Sequence, residues 1–370
     1  MNSIFQDAKF LDPPKEDEIE ITLFGPGYGE SAVLKLPKVG WFVVDSCKFS
    51  AKGLTTIPPL EYLKAQAVKA LVAVVLTHPH EDHYLGLVEI LAEYKGRIDY
   101  ICRYAAEGIR EFKEYLASHD IAGIVNARKF SELFQAFKEA ANNGAWRRDL
   151  GELTPIIDDQ VNGVSVTALT PSSDSVRQYT ELLYNAIGKV GQYVHKFPDH
   201  SHNLIASAIW ISVGSVRIIL GSDVKNGISK TTGWRGVLSN PDKPNLSVQT
   251  VKVSHHGSPT AFHKEVWKEH TTNGLPLSIL TPYTKGSNFL PKDSDLARLK
   301  TVSEKVGVTA KMKHVKPKKF YSREILRHTE NVMKNWRIIE PQNELGFLRI
   351  RFGLDGTTRE TIAIPPAYWY

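Results

Sequence analysis

The run His78-Pro79-His80-Glu81-Asp82-His83 crowds three imidazoles and a metal-binding carboxylate into six residues. His78 and His80 stand two apart, so on an extended loop both point to one side. Asp82 and His83 come after the turn and reach a second point nearby. Neutral imidazole together with carboxylate suits zinc, and also manganese or iron. Three crowded imidazoles would repel one another when protonated, and a bound metal removes that conflict. This argues against a histidine-rich helix cap. Other candidates are spread along the chain: Asp45, His202, Asp223 in Gly221-Ser222-Asp223, and the pair in Ser254-His255-His256-Gly257-Ser258.

The elements around these residues follow one rule, which is that each candidate falls where a strand has just ended. Ile19, Ile21 and Leu23 alternate with Glu18, Glu20 and Thr22, the period of a half-buried strand. It runs into the turn Gly25-Pro26-Gly27-Tyr28-Gly29. Ser31 to Leu36 restarts as a strand, and Trp41 to Val44 closes on Asp45. Leu71 to Leu76 is a continuous apolar run, a strand buried on both faces, with the histidine run directly after it. Tyr84 to Tyr94 then has helical spacing. Open α/β sheets place their chemistry between such a strand and such a helix.

Helices are expected over 105–118, 128–142 and 175–194, and a strand over Val164 to Leu169. Phe197 to His202 reads as a polar loop. Ile205 to Val213 and Ser215 to Leu220 form a hairpin through Gly214 that ends at Asp223. Leu246 to Val253 is a strand ending at the histidine pair, followed by a helix over Pro259 to Glu269. Leu277 to Leu280 is a further strand. Residues 346–364 read as two terminal strands. The Gly25–Gly29 turn precedes a strand, so it offers no helix N-terminus to a phosphate.

The 370 residues are 42% hydrophobic and 23% charged, ordinary for a soluble globular protein with an ample core. The two cysteines, Cys47 and Cys102, exclude a disulfide framework and a four-cysteine zinc site, and fit a reducing compartment. No signal-peptide pattern opens the chain and no apolar run is long enough to span a bilayer, so the expected location is cytoplasmic. The net charge of +6 is compatible with a polyanionic substrate. The densest basic stretch holds Lys311, Lys313, Lys316, Lys318, Lys319, Arg323 and Arg327, either a solvated face or a nucleic-acid groove.

The run His78-x-His80-x-Asp82-His83 after an apolar strand resembles the signature of the metallo-β-lactamase-fold hydrolases. Asp45, His202, Asp223 and the last histidine resemble the other stations of that family in order. The resemblance covers roughly residues 19–285. The Ser-His-His-Gly-Ser element resembles the branch that holds the hydrolase domain of competence-type DNA-uptake proteins and the phosphorylcholine esterases. That branch often has an Asn/Ser pair ahead of the hairpin, here Asn203 and Ser207. The resemblance implies an αβ/βα four-layer sandwich of two mixed sheets flanked by helices. Residues 1–17 would be a lead-in, 18–300 the hydrolase domain, and 301–370 a basic C-terminal elaboration packed on it.

It also implies a centre of two divalent ions, zinc first and manganese as the alternative. His78, His80 and His202 would hold one ion, and Asp82, His83 and His256 the other, with Asp223 bridging. His200 is the alternative to His202, and His195 reads as a loop residue. Asp45 would orient the site. His255 would serve substrate as donor or proton carrier, with the roles of His255 and His256 open to exchange. Asn203, Ser207, Ser258 and Lys285 are candidate substrate contacts. The expected reaction is phosphodiester hydrolysis, on DNA or RNA ahead of a small phosphodiester. A different class is an effector subunit switched on by a partner. Gly27-x-Gly29-Glu30-Ser31 leading to Val44-Asp45-Ser46 resembles hydrolases found beside bacterial antiphage defence genes.

Overall fold

β1 (Glu18–Phe24) sends Ile19, Ile21 and Leu23 to one face and Glu18, Glu20 and Thr22 to the other. The alternation predicted a half-buried strand, but every residue of β1 is buried. The polar face is covered because Glu20 accepts hydrogen bonds from the Tyr62 hydroxyl at 2.6 Å and Arg351 Nε at 2.8 Å. The remaining strands are β2 (Ser31–Leu36), β3 (Gly40–Val44), β4 (Phe49–Ala51), β5 (Leu54–Thr56), β6 (Leu71–Val75), β7 (Ile98–Tyr104), β8 (Trp146–Leu150) and β9 (Thr154–Asp159). After them come β10 (Val164–Ala168), β11 (Ile209–Val213), β12 (Val216–Leu220), β13 (Thr250–Lys252), β14 (Leu277–Leu280), β15 (Val306–Val308), β16 (Phe347–Gly353), β17 (Thr358–Ile364) and β18 (Tyr368–Trp369). The computed structural model describes residues 5, 7–51, 53–104, 125–187, 199–268, 274–285, 289–310 and 345–370. The helix expected over 105–118, His195 and the basic stretch Lys311 to Arg327 lie outside the described residues.

Two eight-stranded mixed sheets carry the fold, in the orders β17-β16-β1-β2-β3-β6-β7-β8 and β18-β15-β14-β13-β12-β11-β10-β9. One apolar cluster lies between them, with Ile21, Val44 and Val75 from the first sheet meeting Ile209, Ile218 and Ile279 from the second. A second cluster joins the outer face of the first sheet to the helices Pro58–Ala65, Leu87–Glu93 and Val125–Asn142. A third joins the second sheet to the helices Gly233–Ser239, Lys264–Lys268 and Asp293–Lys300. The order is therefore helix, sheet, sheet, helix, the metallo-β-lactamase fold expected from the sequence.

Several boundaries differ from the sequence expectation. The Tyr84–Tyr94 helix is broken at Gly86, which sits at φ +97 and separates Glu81–Tyr84 from Leu87–Glu93. A Cβ there would meet Ser46 Oγ at 2.7 Å, so only glycine fits. The strand expected over Leu246 to Val253 is regular only at β13, and the helix expected over Pro259 to Glu269 only at Lys264–Lys268. The loop Phe197 to His202 ends in a 3-10 turn over Asp199–Ile205. The terminal strands do not pack on a finished domain. β16 pairs antiparallel along the whole of β1, from Glu18 opposite Gly353 to Phe24 opposite Phe347, while β15 and β18 close the second sheet. Without β16, β1 would expose a row of unpaired backbone groups.

Candidate metal centre

The parallel strands of both sheets end at one edge. β3 delivers Asp45, β6 delivers Thr77 and His78, β12 delivers Asp223, and β13 delivers His255 and His256. Cross-sheet bonds tie that edge together: Ser222 Oγ donates to Thr77 Oγ1 at 2.7 Å, and Ser207 N to Thr77 O at 3.2 Å. Asp45, Ser222, His255 and His256 all take positive φ, at 58°, 45°, 49° and 53°. Such backbone costs non-glycine residues about 1–3 kcal/mol each and persists where surrounding structure dictates it.

Hydrogen bonding fixes which ring nitrogens face inward. Thr77 Oγ1 has one hydrogen, given to Asp45 Oδ2 at 2.7 Å, so it accepts from His78 Nδ1 at 3.1 Å. His83 Nδ1 donates to Asp45 Oδ2 at 2.8 Å, and His256 Nδ1 to the Thr281 carbonyl at 3.1 Å. The Nε2 atoms of all three rings are thereby turned toward Asp223. Oδ2 of Asp223 lies 3.8 Å from His78 Nε2 and 3.8 Å from His255 Nε2. Oδ1 lies 3.6 Å from His83 Nε2 and 3.8 Å from His256 Nε2. Asp82 Oδ2 adds contacts of 3.2 Å to His256 Nε2 and 3.8 Å to His83 Nε2. His78 Nε2 and His80 Nδ1 are 2.9 Å apart. Among the described residues, His83 Nε2, His256 Nε2 and Asp223 Oδ1 are buried without a hydrogen-bond partner. Buried ring nitrogens and carboxylate oxygens converging without partners are what a divalent cation satisfies.

Among the described residues, two groups can each hold an ion: His78, His80 and Asp223, and Glu30, His83, Asp223 and His256. Asp82, expected beside His83 and His256, stands there by the distances above. His202 is brought beside His80, with ring centroids 5.4 Å apart, and its Nδ1 shares a 2.8 Å hydrogen bond with the Tyr179 hydroxyl. It falls in neither group. The side chain of His200, its alternative, lies outside the described residues. Asp45 accepts from Thr77 N at 2.8 Å as well as from Thr77 Oγ1 and His83, so it stands behind the ring.

The candidate substrate contacts divide. Asn203 Nδ2 lies 3.3 Å from His255 Nε2, and among the described residues Asn203 Oδ1 and Ser207 Oγ are buried without hydrogen-bond partners. Ser258 Oγ instead bonds Thr260 Oγ1 at 2.9 Å. Lys285 Nζ bonds Glu81 at 2.6 Å and the Tyr28 hydroxyl at 2.9 Å, and Tyr283, ring to ring with His256 at 5.3 Å, links that cluster to the centre. No role for Glu30 is legible in the sequence. Its only signal there was the Gly27-x-Gly29-Glu30-Ser31 motif, read as a family mark. Fully buried, it faces both His83 and His256.

The electrostatics separate the rings. Burial and the neighbouring His83 and His80 rings push His78 well below the usual imidazole range. Burial and His80 do the same to His202, and burial takes His255 down to about 4. Burial alone would also depress His83, but Glu30, Asp45, Asp82 and Asp223 outweigh it and hold that ring well above its ordinary value. His256 is raised in the same way, chiefly by Asp223 against the opposing effect of burial. Burial would raise Asp82, but His83 and His256 bring it to about 2.

Residues 22–182 match the model of the Metallo-beta-lactamase superfamily. Among solved structures, the chain is similar to a CmlA β-hydroxylase mutant, at 16% identity and TM-score 0.34, covering 65% of this chain and 36% of that one. The chain thus spans about a third of that relative's length. It is similar to the metallo-β-lactamase fold protein YhfI from Bacillus subtilis, at 14% identity and TM-score 0.40, covering 79% of this chain and 96% of that one. It is also similar to the short form of human tRNase Z, at 13% identity and TM-score 0.37, covering 70% of this chain and 91% of that one. No curated protein matches the sequence.

Proposed function

From a chain that carries a metallo-β-lactamase superfamily domain over residues 22–182, we infer a binuclear metal-dependent hydrolase that cleaves phosphodiesters, nucleic acid ahead of small diesters. The observation that carries the reading is Asp223, whose Oδ1 faces the inward-turned His83 and His256 and whose Oδ2 faces the inward-turned His78. His78, His80 and His202 would hold one ion, and Asp82, His83 and His256 the other, with Asp223 shared between them. Zinc suits this donor set, and manganese is the alternative. Two such cations would make a water nucleophilic near neutral pH and offset charge on the phosphoryl oxygens.

The chain's own residues supply the rest. Asp45 orients His83 and, through Thr77, His78. His255 is 22% exposed in its side chain, opens to solvent beside Asp223 and carries Asn203 on its Nε2 edge. That places it to meet substrate or hand a proton to the leaving oxygen. Ser207 Oγ, without a hydrogen-bond partner among the described residues, carries a hydroxyl that can donate to an oxygen of a bound diester. The net charge of +6 favours an anionic substrate over a neutral one.

The test is elemental analysis of the purified protein, followed by hydrolysis of bis-p-nitrophenyl phosphate, plasmid DNA and single-stranded RNA with zinc or manganese added. About two metal equivalents with diester cleavage are expected. A chain that stays metal-free in excess zinc and manganese overturns the reading. Cleavage of the small diester without either nucleic acid narrows it to small substrates.

A further inference from the structure

We propose that Glu30 and Lys252 form a buried ion pair that positions the His83 and His256 rings from behind, Glu30 acting as a positioning residue and not as a metal ligand. The inference rests on the binuclear reading and assigns a role to two residues outside it. Lys252 Nζ donates to Glu30 Oε1 and, at 3.3 Å, to the Ser222 carbonyl. Thr281 Oγ1 donates to Glu30 Oε2 at 2.8 Å. Each oxygen of Glu30 therefore accepts one hydrogen bond from a neighbouring side chain. Glu30 is 3% exposed and Lys252 3% exposed, so the pair is sealed from water.

Proximity alone would make Glu30 a ligand, because it shares a possible ion site with His83, Asp223 and His256. The ring edges say otherwise. Glu30 lies 3.6 Å from His83 Nδ1 and 3.7 Å from His256 Nδ1. Those Nδ1 edges are committed to Asp45 and to Thr281. The open Nε2 edges of the same rings face Asp82 and Asp223. Glu30 is thus on the far side of both rings from the atoms that would hold the ion.

The pair also joins three strand ends. Glu30 immediately precedes β2, Lys252 is the last residue of β13, and Thr281 follows β14. Glu30 N donates to the Asp82 carbonyl at 2.9 Å, and the Ser222 carbonyl that Lys252 meets also accepts from His255 N at 2.8 Å. The Glu30 backbone and the Lys252 side chain together therefore reach the loops that carry Asp82, Asp223, His255 and His256. A buried lysine is costly unless paired, and a lone buried glutamate here would add a fourth negative charge to Asp45, Asp82 and Asp223. Paired, the two bring order to the loops with no net charge. Partners behind a ligand typically change metal affinity by about 10–100-fold when removed.

The experiment is zinc titration of the full chain against a chromophoric chelator, read as stoichiometry and affinity, with thermal melting of the metal-free protein alongside. Glu30→Gln, Lys252→Met and the double variant are compared with Thr281→Val, which removes the hydroxyl that lies between Glu30 Oε2 and His256 Nδ1, keeps the backbone carbonyl that also accepts from His256, and leaves the ion pair intact. Two zinc equivalents are expected in each, with one ion weakened about 10–100-fold in Glu30→Gln and about tenfold in Thr281→Val. Loss of a whole zinc equivalent in Glu30→Gln at saturating metal would make Glu30 a ligand and overturn the proposal. Parent-like affinity in every folded variant, with only the melting temperature lowered, would reduce the pair to a tie between the sheets. Should Glu30→Gln fail to fold, Thr281→Val decides: zinc affinity weakened about tenfold supports the positioning role, and parent-like affinity overturns it. A parent that binds no zinc overturns the binuclear reading itself, whereas a parent with two ions and unchanged variants overturns this inference alone.

Discussion

His255 and His256 are adjacent in the chain and face different parts of the centre, which gives the residue scale its sharpest test. His256 is 2% exposed, its Nδ1 held by Thr281, its Nε2 3.2 Å from Asp82. His255 meets Asn203 and the other oxygen of Asp223. His256→Ala should therefore lower metal content to about one equivalent. His255→Ala should keep both ions and lower kcat by about 10²–10⁴-fold, the usual range for a proton-transferring group. Elemental analysis beside steady-state kinetics separates the two, and the opposite pattern would exchange their roles. Asp82→Ala should abolish hydrolysis while circular dichroism stays near the parent, because three apolar clusters hold the fold without metal.

Elements matter here through their ends. The β1–β2 turn must pass close over β14 and β15. A Cβ on Gly25 would overlap the Thr281 side chain and approach Thr309 Oγ1 to 2.8 Å. Thr309 Oγ1 in turn donates to the Gly25 carbonyl at 2.7 Å. Gly25→Ala should cost about 1–3 kcal/mol in urea unfolding, the range for overpacking a tight contact. It should also weaken metal binding, since Thr281 carries the partner of His256. Equal metal affinity in parent and variant would show that the turn and the centre are independent.

At the scale of the whole molecule, the C-terminal strands clamp the N-terminal segment. Arg349 Nε donates to Glu360 at 2.8 Å, and Arg351 Nη1 to Asp12 at 2.8 Å. Burial would raise Glu360, but Arg349, Arg351 and Lys9 hold its carboxyl below the usual range. A carboxylate depressed in the folded state stabilises above its unfolded value, near 4.3, and that stability is lost as pH falls through the folded value. Glu360→Gln should therefore lower stability by about 1 kcal/mol at pH 7, discounted for partial exposure, and flatten the acid limb of the stability profile below about pH 4.5. An unchanged acid limb would show the clamp to be electrostatically idle. If the substrate is nucleic acid, neutralising Lys316, Lys318 and Lys319 together should weaken its binding and flatten the salt dependence, as fewer counterions are released. Hydrolysis of a small chromogenic diester should hold near the parent rate. Loss of both activities would point to damaged folding.

Legible in the sequence were the histidine run, the apolar strand before it, the hairpin through Gly214 and the place of Asp45, His78, Asp223 and His256 just after strand ends, whereas His202 and Asn203 sit in a 3-10 turn ahead of β11. Those signals are local because imidazole spacing and apolar periodicity are properties of a few neighbouring residues. Tertiary structure alone decided the rest. It turned β1 from half-buried to buried by laying Arg351 and Tyr62 on its polar face. It carried residues 347–353 back beside residue 18, a pairing no short window contains. It broke the helix after the histidine run at a glycine wedged against Ser46. It set Glu30 and Lys252, far apart in sequence, against each other beneath the centre. Which nitrogen of each ring faces inward depends on partners from both sheets, and only the folded chain brings those partners together.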